Sequence, residues 1–399
     1  MQEIQWLREA EELAPELAAL RRKIHRCPEV GNQEFQTAET IEACLHACGV
    51  ETKRLTDTAV LGTLRGGRPG PAAALRADMD ALPVTEETGV EYASVRPGVM
   101  HACGHDVHVT AALGAVMLLS RHRQELPGTV KFFFQPDEEE NGGARRMIEA
   151  GCMHDPAVEA VFGAHVAPDL PLGTVGVRYG KFYAASDMFD VTVLGKSAHG
   201  AEPEKGISAL SAGARMVGAL QELPRRFPGE RCVVSVGAFH AGTVRNVLPG
   251  SASFSGIIRT LGTDTRGKMK TYFYDCLENL ARETGTRLDI SFRSSYPGIV
   301  NDDAMTALVE GTARGLLGEA RVLRIEHPTM TSEDFGYFAD AATGAFYHLG
   351  VGGSAPLHNS RFLPDESVLP LGAALHAAVL TAYLSGHSAS DSSQEKGKK

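Results

Sequence analysis

The stretch MHACGHDVH, residues 100–108, holds the densest group of metal-binding residue types in this chain. It contains Cys103, His105 and Asp106 together with two further histidines. Thiolate, neutral imidazole and carboxylate are the side chains that bind borderline transition metals. The apolar run 107–119 overlaps its end, so the sequence predicts ligands at the start of a buried helix. Alone, the stretch would better fit residues that only form hydrogen bonds at a helix start, but the rest of the chain changes this interpretation.

On both sides of this stretch, predicted strands alternate with predicted helices. We predict strands at 60–64, 72–76, 129–134, 160–165 and 345–349, and helices at 13–24, 37–48, 107–119, 142–150, 302–317 and 369–384. This alternation is typical of an α/β fold with a mixed, mainly parallel sheet and helices on both faces. Sites in such folds form outside the carboxyl ends of the strands. The residues at or just after predicted strand ends include Asp78, Asp80, Glu138, Glu139 and His165.

The order of elements changes after Tyr183. The following residues predict strands at 187–194, 232–239, 251–260 and 287–292, and helices at 207–223 and 265–284. The order β-α-β-β-α-β is that of a ferredoxin-like α+β unit, and its size fits an inserted domain. We therefore predict a discontinuous catalytic domain at 1–183 and 297–386, an inserted domain at 184–296, and a polar, disordered tail at 387–399.

The composition limits the partners and the compartment that suit the chain. Its 399 residues are 43% hydrophobic and 22% charged, and 39 basic against 49 acidic residues give a net charge of −10. An acidic balance argues against nucleic acid and against an anionic membrane as partners. The chain has no uninterrupted apolar run of membrane-spanning length and no signal-peptide pattern, so we expect a cytoplasmic protein. The seven cysteines are an odd number, which predicts mostly free thiols.

Four separate segments supply residues of the metal-ligand type. They contain Cys103 with His105, the three glutamates 138–140, His165, and His358. A run of three glutamates is most often a solvated loop, but this run directly follows a predicted strand end. Adjacent carboxylates also allow two tasks at once, because one can bind metal while its neighbour acts as a base on water. Any one histidine alone is more often structural, so the hypothesis of a metal site rests on all four segments together.

The chain resembles the dinuclear metal-dependent amidohydrolases of the aminoacylase and carboxypeptidase-G type. The branch it resembles most includes hippurate hydrolases, plant indole-acetyl-amino-acid hydrolases and bacterial N-acyl-amino-acid deacylases. The segments that carry the resemblance are RRKIHRCPEVGNQEFQT, ALRADMDALPV, MHACGHDVHVTAALGAV, FFFQPDEEENGGARRMIEAG, GAHV, GKSAHGAEP, GTVRNVLP, GIIRT, PTMTSEDF and PLHNSRF. The chain reads HDVH where the family usually has HDGH, and Glu140-Asn141 stand where it usually has small residues. These departures touch flanking positions and not the matched ligands.

The resemblance implies a zinc-exopeptidase-like catalytic domain that binds two divalent metal ions per chain. Zinc is the first expectation, and manganese, cobalt and nickel are alternatives. Cys103 would be the thiolate that bridges both ions, and the other implied ligands are His105, Glu139, His165 and His358. Glu138 would be the general base and acid. Asp80 would orient a ligand histidine from behind, whereas a metal-related role for Asp78 is the more doubtful of the two.

The resemblance also implies roles for the inserted domain, as a lid and as the surface of a homodimer or homotetramer. His199 matches a histidine that enters the active site of the partner subunit. Asn246 and Arg259 match residues that hold the carboxylate of the substrate. Without the resemblance, His199 would be interpreted as a loop histidine and Arg259 as an exposed charge on a strand.

The function that this resemblance implies is hydrolysis of the amide bond of an N-acyl-amino acid, with a metal-bound hydroxide as the nucleophile. The products would be a carboxylate and a free amino acid. Alternatives are a dipeptidase or carboxypeptidase on the same scaffold, and a hydrolase of N-acyl-diaminopimelate or aminobenzoyl-glutamate. A metal-binding protein without catalysis fits less well, because a structural site needs no spare carboxylate such as Glu138.

Overall fold

A computed structural model describes residues 3–353 and 355–394. The helices are α1 Glu3–Glu12, α2 Ala14–Arg26, α3 Phe35–Ala47, α4 His105–Arg121, α5 Ala144–Glu149, α6 Ala209–Gln221, α7 Thr263–Thr284, α8 Asp303–Leu317, α9 Gly336–Ala341 and α10 Val368–Gln394. The strands are β1 Glu51–Arg54, β2 Val60–Arg65, β3 Arg68–Asp78, β4 Pro127–Gln135, β5 Ala160–Ala167, β6 Val175–Val177, β7 Gly180–Tyr183, β8 Ala185–Leu194, β9 Ala198–His199, β10 Cys232–Ala241, β11 Val247–Leu248, β12 Ser251–Thr260, β13 Arg287–Ser294, β14 Ile299–Asn301, β15 Val322–Arg324 and β16 Thr343–Gly350.

The chain divides into two compact units. The first runs up to Gly180 and includes Asn301–Glu326 and the residues from Tyr337 onward. The second consists of Lys181–Val300 and His327–Gly336.

The first unit is built on an eight-stranded sheet in the order β1-β2-β4-β3-β5-β16-β6-β15. The four central strands β4, β3, β5 and β16 are parallel to one another, whereas β1 and β2 at one edge are antiparallel. β6 runs antiparallel to β16 and pairs in parallel with β15. The mixed, mainly parallel sheet that the sequence predicts is therefore confirmed. Its central strands deliver their carboxyl ends to one edge, where α/β folds place their sites.

Side chains alternate between the two faces of this sheet, as strand geometry requires. On β4, Phe132 and Phe134 belong to the main hydrophobic cluster together with residues of α4 and α10. Phe133 points to the other face, where its ring packs on Phe338 of α9 at a centroid distance of 5.2 Å. Both faces of the sheet are therefore covered by helices, in agreement with the sequence prediction.

The helices α4 and α10 approach each other closely because small residues lie at their crossing. A Cβ atom added to Gly114 would lie 2.6 Å from the Cβ atom of Ala373. A Cβ atom added to Gly372 would lie 3.0 Å from that of Ala111. Nearly every residue of α4 is buried, so this crossing fixes the helix that begins at His105.

The second unit contains a four-stranded antiparallel sheet in the order β10-β12-β8-β13. Its elements follow the predicted order β-α-β-β-α-β, from β8 through α6, β10, β12 and α7 to β13. Alternate residues of β8, such as Phe189 and Val191, form one hydrophobic cluster with Met216 of α6 and Phe273 of α7.

Several domain boundaries differ from the sequence prediction. The main segment of the second unit is Lys181–Val300, where the sequence predicted 184–296. The second unit includes His327–Gly336, which the sequence assigned to the catalytic domain. The reason is hydrogen bonding, because Thr329 N donates to the carbonyl of Phe182 and Ala184 N donates to that of Thr331. In addition, α10 continues to Gln394, so the predicted disordered tail is helical up to that residue, and 395–399 lie outside the described residues.

One helix, α10, contains a stretch that is long and apolar enough to cross a membrane. Its residues Val368–Gly386 have a mean hydropathy of 1.6, but most of them are buried inside the protein. This is the composition of a central core helix. All seven cysteines are free thiols, as the sequence predicts.

The helix crossing predicts opposite effects for one substitution at two sites. Gly114→Ala should lower the melting temperature, because the new methyl group overlaps Ala373 and overpacking costs about 1–3 kcal/mol. Gly311→Ala in α8 should raise it, because nothing lies within 4 Å of the added Cβ and a helical Gly is about 0.5–1 kcal/mol less stable than Ala. Thermal unfolding, followed by circular dichroism, gives the melting temperature of each variant. Equal changes of the same sign in the two melting temperatures would contradict a tight crossing of α4 and α10.

Candidate active site

The ligand-rich stretch lies where α4 begins. Gly104, the residue before the helix, has φ +84°, and a Cβ atom there would lie 2.5 Å from a methyl carbon of Val166. The left-handed conformation and the close approach to β5 both require glycine. Cys103 and His105 on either side of it are consequently held against the end of a neighbouring strand.

His165, near the end of β5, faces the thiol of Cys103. Its Nδ1–H donates to the carbonyl of Val166 at 2.8 Å, which leaves Nε2 as the lone-pair nitrogen. That Nε2 atom lies 3.4 Å from the Sγ atom of Cys103. Burial lowers the pKa of His165, which favours the neutral form that binds metal.

His105 and Glu139 face each other with unused polar atoms. The Nε2 atom of His105 lies 3.8 Å from the Oε1 atom of Glu139, and this buried nitrogen has no hydrogen-bond partner among the described residues. The Nε2 atom of His358 lies 3.3 Å from the same Oε1 atom. Buried polar atoms are normally paired, so an unpaired nitrogen that faces a carboxylate indicates a ligand.

The residues fit a pair of metal ions. Three overlapping groups each bring their ligand atoms within 4.8 Å of one another: Cys103 with His105 and His165, Cys103 with Glu139 and His358, and His105 with Glu138 and Glu139. Because Cys103 belongs to two groups, its thiolate can serve two ions. Sulfur, nitrogen and oxygen donors together suit zinc and similar borderline metals.

The electrostatics of the cluster also favour bound cations. Burial raises the pKa of the Cys103 thiol, and the carboxylates of Glu139 and Glu138 raise it further. Burial disfavours the charged form of His105, but Asp78, Asp80 and Glu139 outweigh it and raise its pKa to about 10. Divalent cations reverse both tendencies, because they stabilise thiolate and neutral imidazole.

Asp80 connects two of these ligands. Its Oδ1 atom lies 3.2 Å from the Nδ1 atom of His105, and its Oδ2 atom accepts the backbone N–H of Glu139 at 3.0 Å. A carboxylate that binds Nδ1–H fixes the ring and directs Nε2 toward a metal. This contact is the one expected of the residue that orients a ligand histidine.

A second buried carboxylate, Asp78, has a structural environment that the sequence did not reveal. Its Oδ2 atom accepts from Arg76 at 2.6 Å, and its Oδ1 atom lies 2.5 Å from the Nδ1 atom of His108. The Nε2 atom of His108 accepts the backbone N–H of Val166 at 2.9 Å. Burial opposes the ionised form of Asp78, but Arg76 and two histidines hold its pKa well below the usual range. The signal in the sequence was Arg76, a charge inside an apolar strand and on the same face as Asp78.

The other residues of the opening stretch lie outside these groups. Asp106 faces α2, where it accepts from the Nε atom of Arg21 at 2.7 Å and lies 2.8 Å from the Nδ1 atom of His25. His101 is fully buried, and burial lowers its pKa to about 3. These residues fix the start of α4 within the protein.

The three remaining candidates, His199, Asn246 and Arg259, belong to the second unit. His199 is exposed on β9, and the N–H of Gly200 donates to the carbonyl of Asn246 at 2.8 Å, so these two candidates are neighbours. Arg259 on β12 donates from Nη1 to the Oγ atom of Ser332 at 2.6 Å. Their roles stay predictions.

Comparisons with known proteins identify relatives of this chain. The chain is 35% identical over 361 residues to the N-acetyl-L-cysteine deacetylase of Bacillus subtilis, covering 90% of this chain and 85% of the relative. It is 36% identical over 376 residues to thermostable carboxypeptidase 1 of Saccharolobus solfataricus, covering 91% and 94% respectively. The crystal structure of the Bacillus subtilis YXEP protein, a dinuclear metal-binding peptidase of the M20 family, matches 94% of this chain and 99% of its own, with a TM-score of 0.83 and 31% identity.

The sequence model described as peptidase family M20/M25/M40 matches residues 74–382, which contain every candidate ligand. This confirms the family that the motifs predicted. The chain therefore belongs to the M20 family of metal-dependent peptidases and amidohydrolases.

Proposed function

We propose that this protein is a metal-dependent amidohydrolase that cleaves the amide bond of N-acyl-amino acids. The observation that carries the proposal is the adjacent pair Glu138 and Glu139: Glu139 faces His105 and His358, and the buried Glu138 lies in one group with His105 and Glu139. One relative is named N-acetyl-L-cysteine deacetylase, and removal of an acetyl group from an amino acid is hydrolysis of the same kind of amide bond.

In this proposal, five side chains hold two divalent ions, with zinc as the first expectation: Cys103, His105, Glu139, His165 and His358. Bound divalent ions supply a nucleophile by lowering the pKa of water to about 7, and they polarise the scissile carbonyl. Glu138 accepts the proton of the attacking water and later donates it to the leaving amine. Asp80 holds His105 and the Glu139 backbone in place throughout.

The second unit supplies recognition of the substrate. Arg259 has a planar fork that suits bidentate binding of the amino-acid carboxylate, and Asn246 adds an amide. His199 acts in the site of the partner subunit of a homodimer, where its imidazole stabilises the negative charge on the carbonyl oxygen. We expect the enzyme in the cytoplasm.

A carboxypeptidase is the second candidate, because two relatives carry that name. Both candidates require a free carboxylate on the substrate, and they differ in the acyl group. Release of amino acid from N-acetyl, N-benzoyl, indole-acetyl and long-chain acyl substrates, compared with release from dipeptides, separates them. Activity that is confined to peptides, or that survives exhaustive chelation, would overturn the proposed function.

The three consecutive glutamates predict three different phenotypes. Glu138→Gln should retain both metal ions and lose about 10²–10⁴-fold in kcat, the range for removal of a general base. Glu139→Gln should lose metal as well as activity, because a neutral amide is a poorer ligand than a carboxylate. Glu140→Gln is the matched control, since Glu140 is exposed and should keep both properties. Metal analysis and steady-state kinetics measure metal content and kcat for each variant. Loss of metal in Glu138→Gln and its retention in Glu139→Gln would show that Glu138 is the ligand and Glu139 the base.

Arg259→Ala should raise KM strongly for N-acyl-amino acids and much less for the corresponding N-acyl-amino-acid amides, which lack the negative charge. Arg287→Ala is the control, because Arg287 is an exposed arginine of the same sheet. Kinetics on each acid and amide pair gives the comparison. Equal losses on both would show that Arg259 does not bind the carboxylate.

The role of His199 in the partner subunit predicts complementation between two inactive variants. Glu138→Gln and His199→Ala are co-expressed, so that one site of each mixed dimer combines an intact Glu138 with an intact His199. Random pairing should restore about a quarter of wild-type activity by two-fold symmetry. In the control, Glu138→Gln is co-expressed with a chain that carries both Glu138→Gln and His199→Ala. No site in these dimers contains an intact Glu138. If verified mixed dimers show only the summed activity of the parents, His199 does not act across subunits.

A further inference from the structure

The backbone that leads into the two glutamates has an unusual conformation. The strand β4 ends at Gln135, and Asp137, which precedes Glu138 and Glu139 directly, has φ +56°. A residue with a Cβ adopts this left-handed region at a steric cost and keeps it only where the surroundings hold it. The direction in which both glutamates leave the strand therefore depends on what holds Asp137.

Asp137 is held through every polar group it has. Its Oδ2 atom accepts from Nδ2 of Asn32 at 2.6 Å and from Nη2 of Arg146 at 2.9 Å. Arg146 also donates from Nη1 to Oδ1 of Asn32 at 2.5 Å, which closes a triangle of three side chains. The backbone carbonyl of Asp137 accepts from Gly142 N at 2.9 Å. Asn32 and Arg146, from two separate segments of the first unit, therefore hold Asp137 in place.

Glu34 also holds Asp137, through the backbone N–H of that residue. Its Oε1 atom accepts the backbone N–H of Asp137 at 2.9 Å, and its side chain is fully buried at the start of α3. Gly31 lies so close that a Cβ atom there would be 2.3 Å from Oδ1 of Asp137. The segment 31–34 is therefore shaped around Asp137.

Glu29, just before this segment, contacts the backbone next to Asp80. The carbonyl of Glu29 accepts from Ala81 N at 2.8 Å, and the Glu29 carboxylate accepts from Thr37 N at 2.9 Å in the first turn of α3. Residues 29–37 therefore hold the backbone beside Asp80 and the backbone before Glu138 at once. The proposed chemistry gives this segment no other role.

We propose that Asn32, Glu34 and Arg146 are positioning residues that act through Asp137 to set the directions of Glu138 and Glu139. The proposal rests on the function assigned above to the two glutamates. With the contacts to Asp137 intact, Glu139 points at the ligand histidines and Glu138 stays beside it as the base. When these contacts to Asp137 are lost, the carboxylates of Glu138 and Glu139 adopt other directions. Metal affinity and kcat then fall together. Binding of the substrate carboxylate, assigned to Arg259, is not affected.

The experiment compares Asn32→Ala and Arg146→Ala with Arg145→Ala. Arg145 precedes Arg146 on α5, is exposed and forms an exposed ion pair with Glu149, so it is a matched control. Co²⁺ is titrated into metal-free protein and followed by its thiolate absorption band, and kcat, KM and the melting temperature are measured for each variant. We expect Asn32→Ala and Arg146→Ala to weaken Co²⁺ binding about 10–100-fold, the range for residues behind the ligands. Their kcat should fall with KM within about two-fold, and Arg145→Ala should match wild type.

A pair of variants at Glu34 separates positioning from general stability. Glu34→Gln keeps an acceptor for the Asp137 N–H and should retain Co²⁺ affinity, whereas Glu34→Ala should lose it. Unchanged Co²⁺ affinity in Asn32→Ala and Arg146→Ala would overturn the inference, as would losses that follow only the melting temperature. An inactive wild type would overturn the proposed function instead, and the Co²⁺ titrations would still decide the role of Asn32 and Arg146.

Discussion

The carboxylate of Asp80 is the contact on which the site depends. It binds the imidazole of His105 at the start of α4 and the backbone N–H of Glu139 after β4, and it stands itself after β3. Three segments that are remote in sequence therefore meet at one side chain. Because β3 and β4 are parallel neighbours, their carboxyl ends coincide, and a short acidic residue at one end can reach the chain leaving the other. A longer or neutral side chain would not satisfy both donors with this geometry.

The cost of burying so many charges explains the second layer of residues. An isolated buried carboxylate is strongly destabilising unless it is paired. Asp78 is paired with Arg76 and His108, and Asp106 with Arg21 and His25. Among the candidate ligands in the described part of the chain, the buried Nε2 atom of His105 has no hydrogen-bond partner, and it lies where cations are expected.

The sequence predicted the main sheet and the order of the long elements in the second unit, because both follow from local pattern, whereas the full set of candidate ligands came from the family resemblance. Cys103, His105 and Glu138 stand next to apolar runs whose ends could be located by periodicity. The pairing of Arg76 with Asp78 and His108 could not be predicted, because it depends on which strands become neighbours. Assignment of 327–336 failed for a similar reason, since backbone hydrogen bonds to Phe182 and Ala184 leave no mark on side-chain type. The positive φ of Asp137 could not be predicted, because an aspartate in a sequence does not indicate a left-handed backbone as a glycine does.

The position of α10 in the core has a consequence for biosynthesis. This helix packs against α4 and β3 in the first unit, yet it is the last element of the described chain. While the ribosome is still translating the second unit, α4 has no partner for the face that Gly114 and Ala111 present to it. The nascent first unit must therefore keep a large apolar surface uncovered until residues 368–384 leave the exit tunnel, whereas most of the second unit is contiguous and can close earlier.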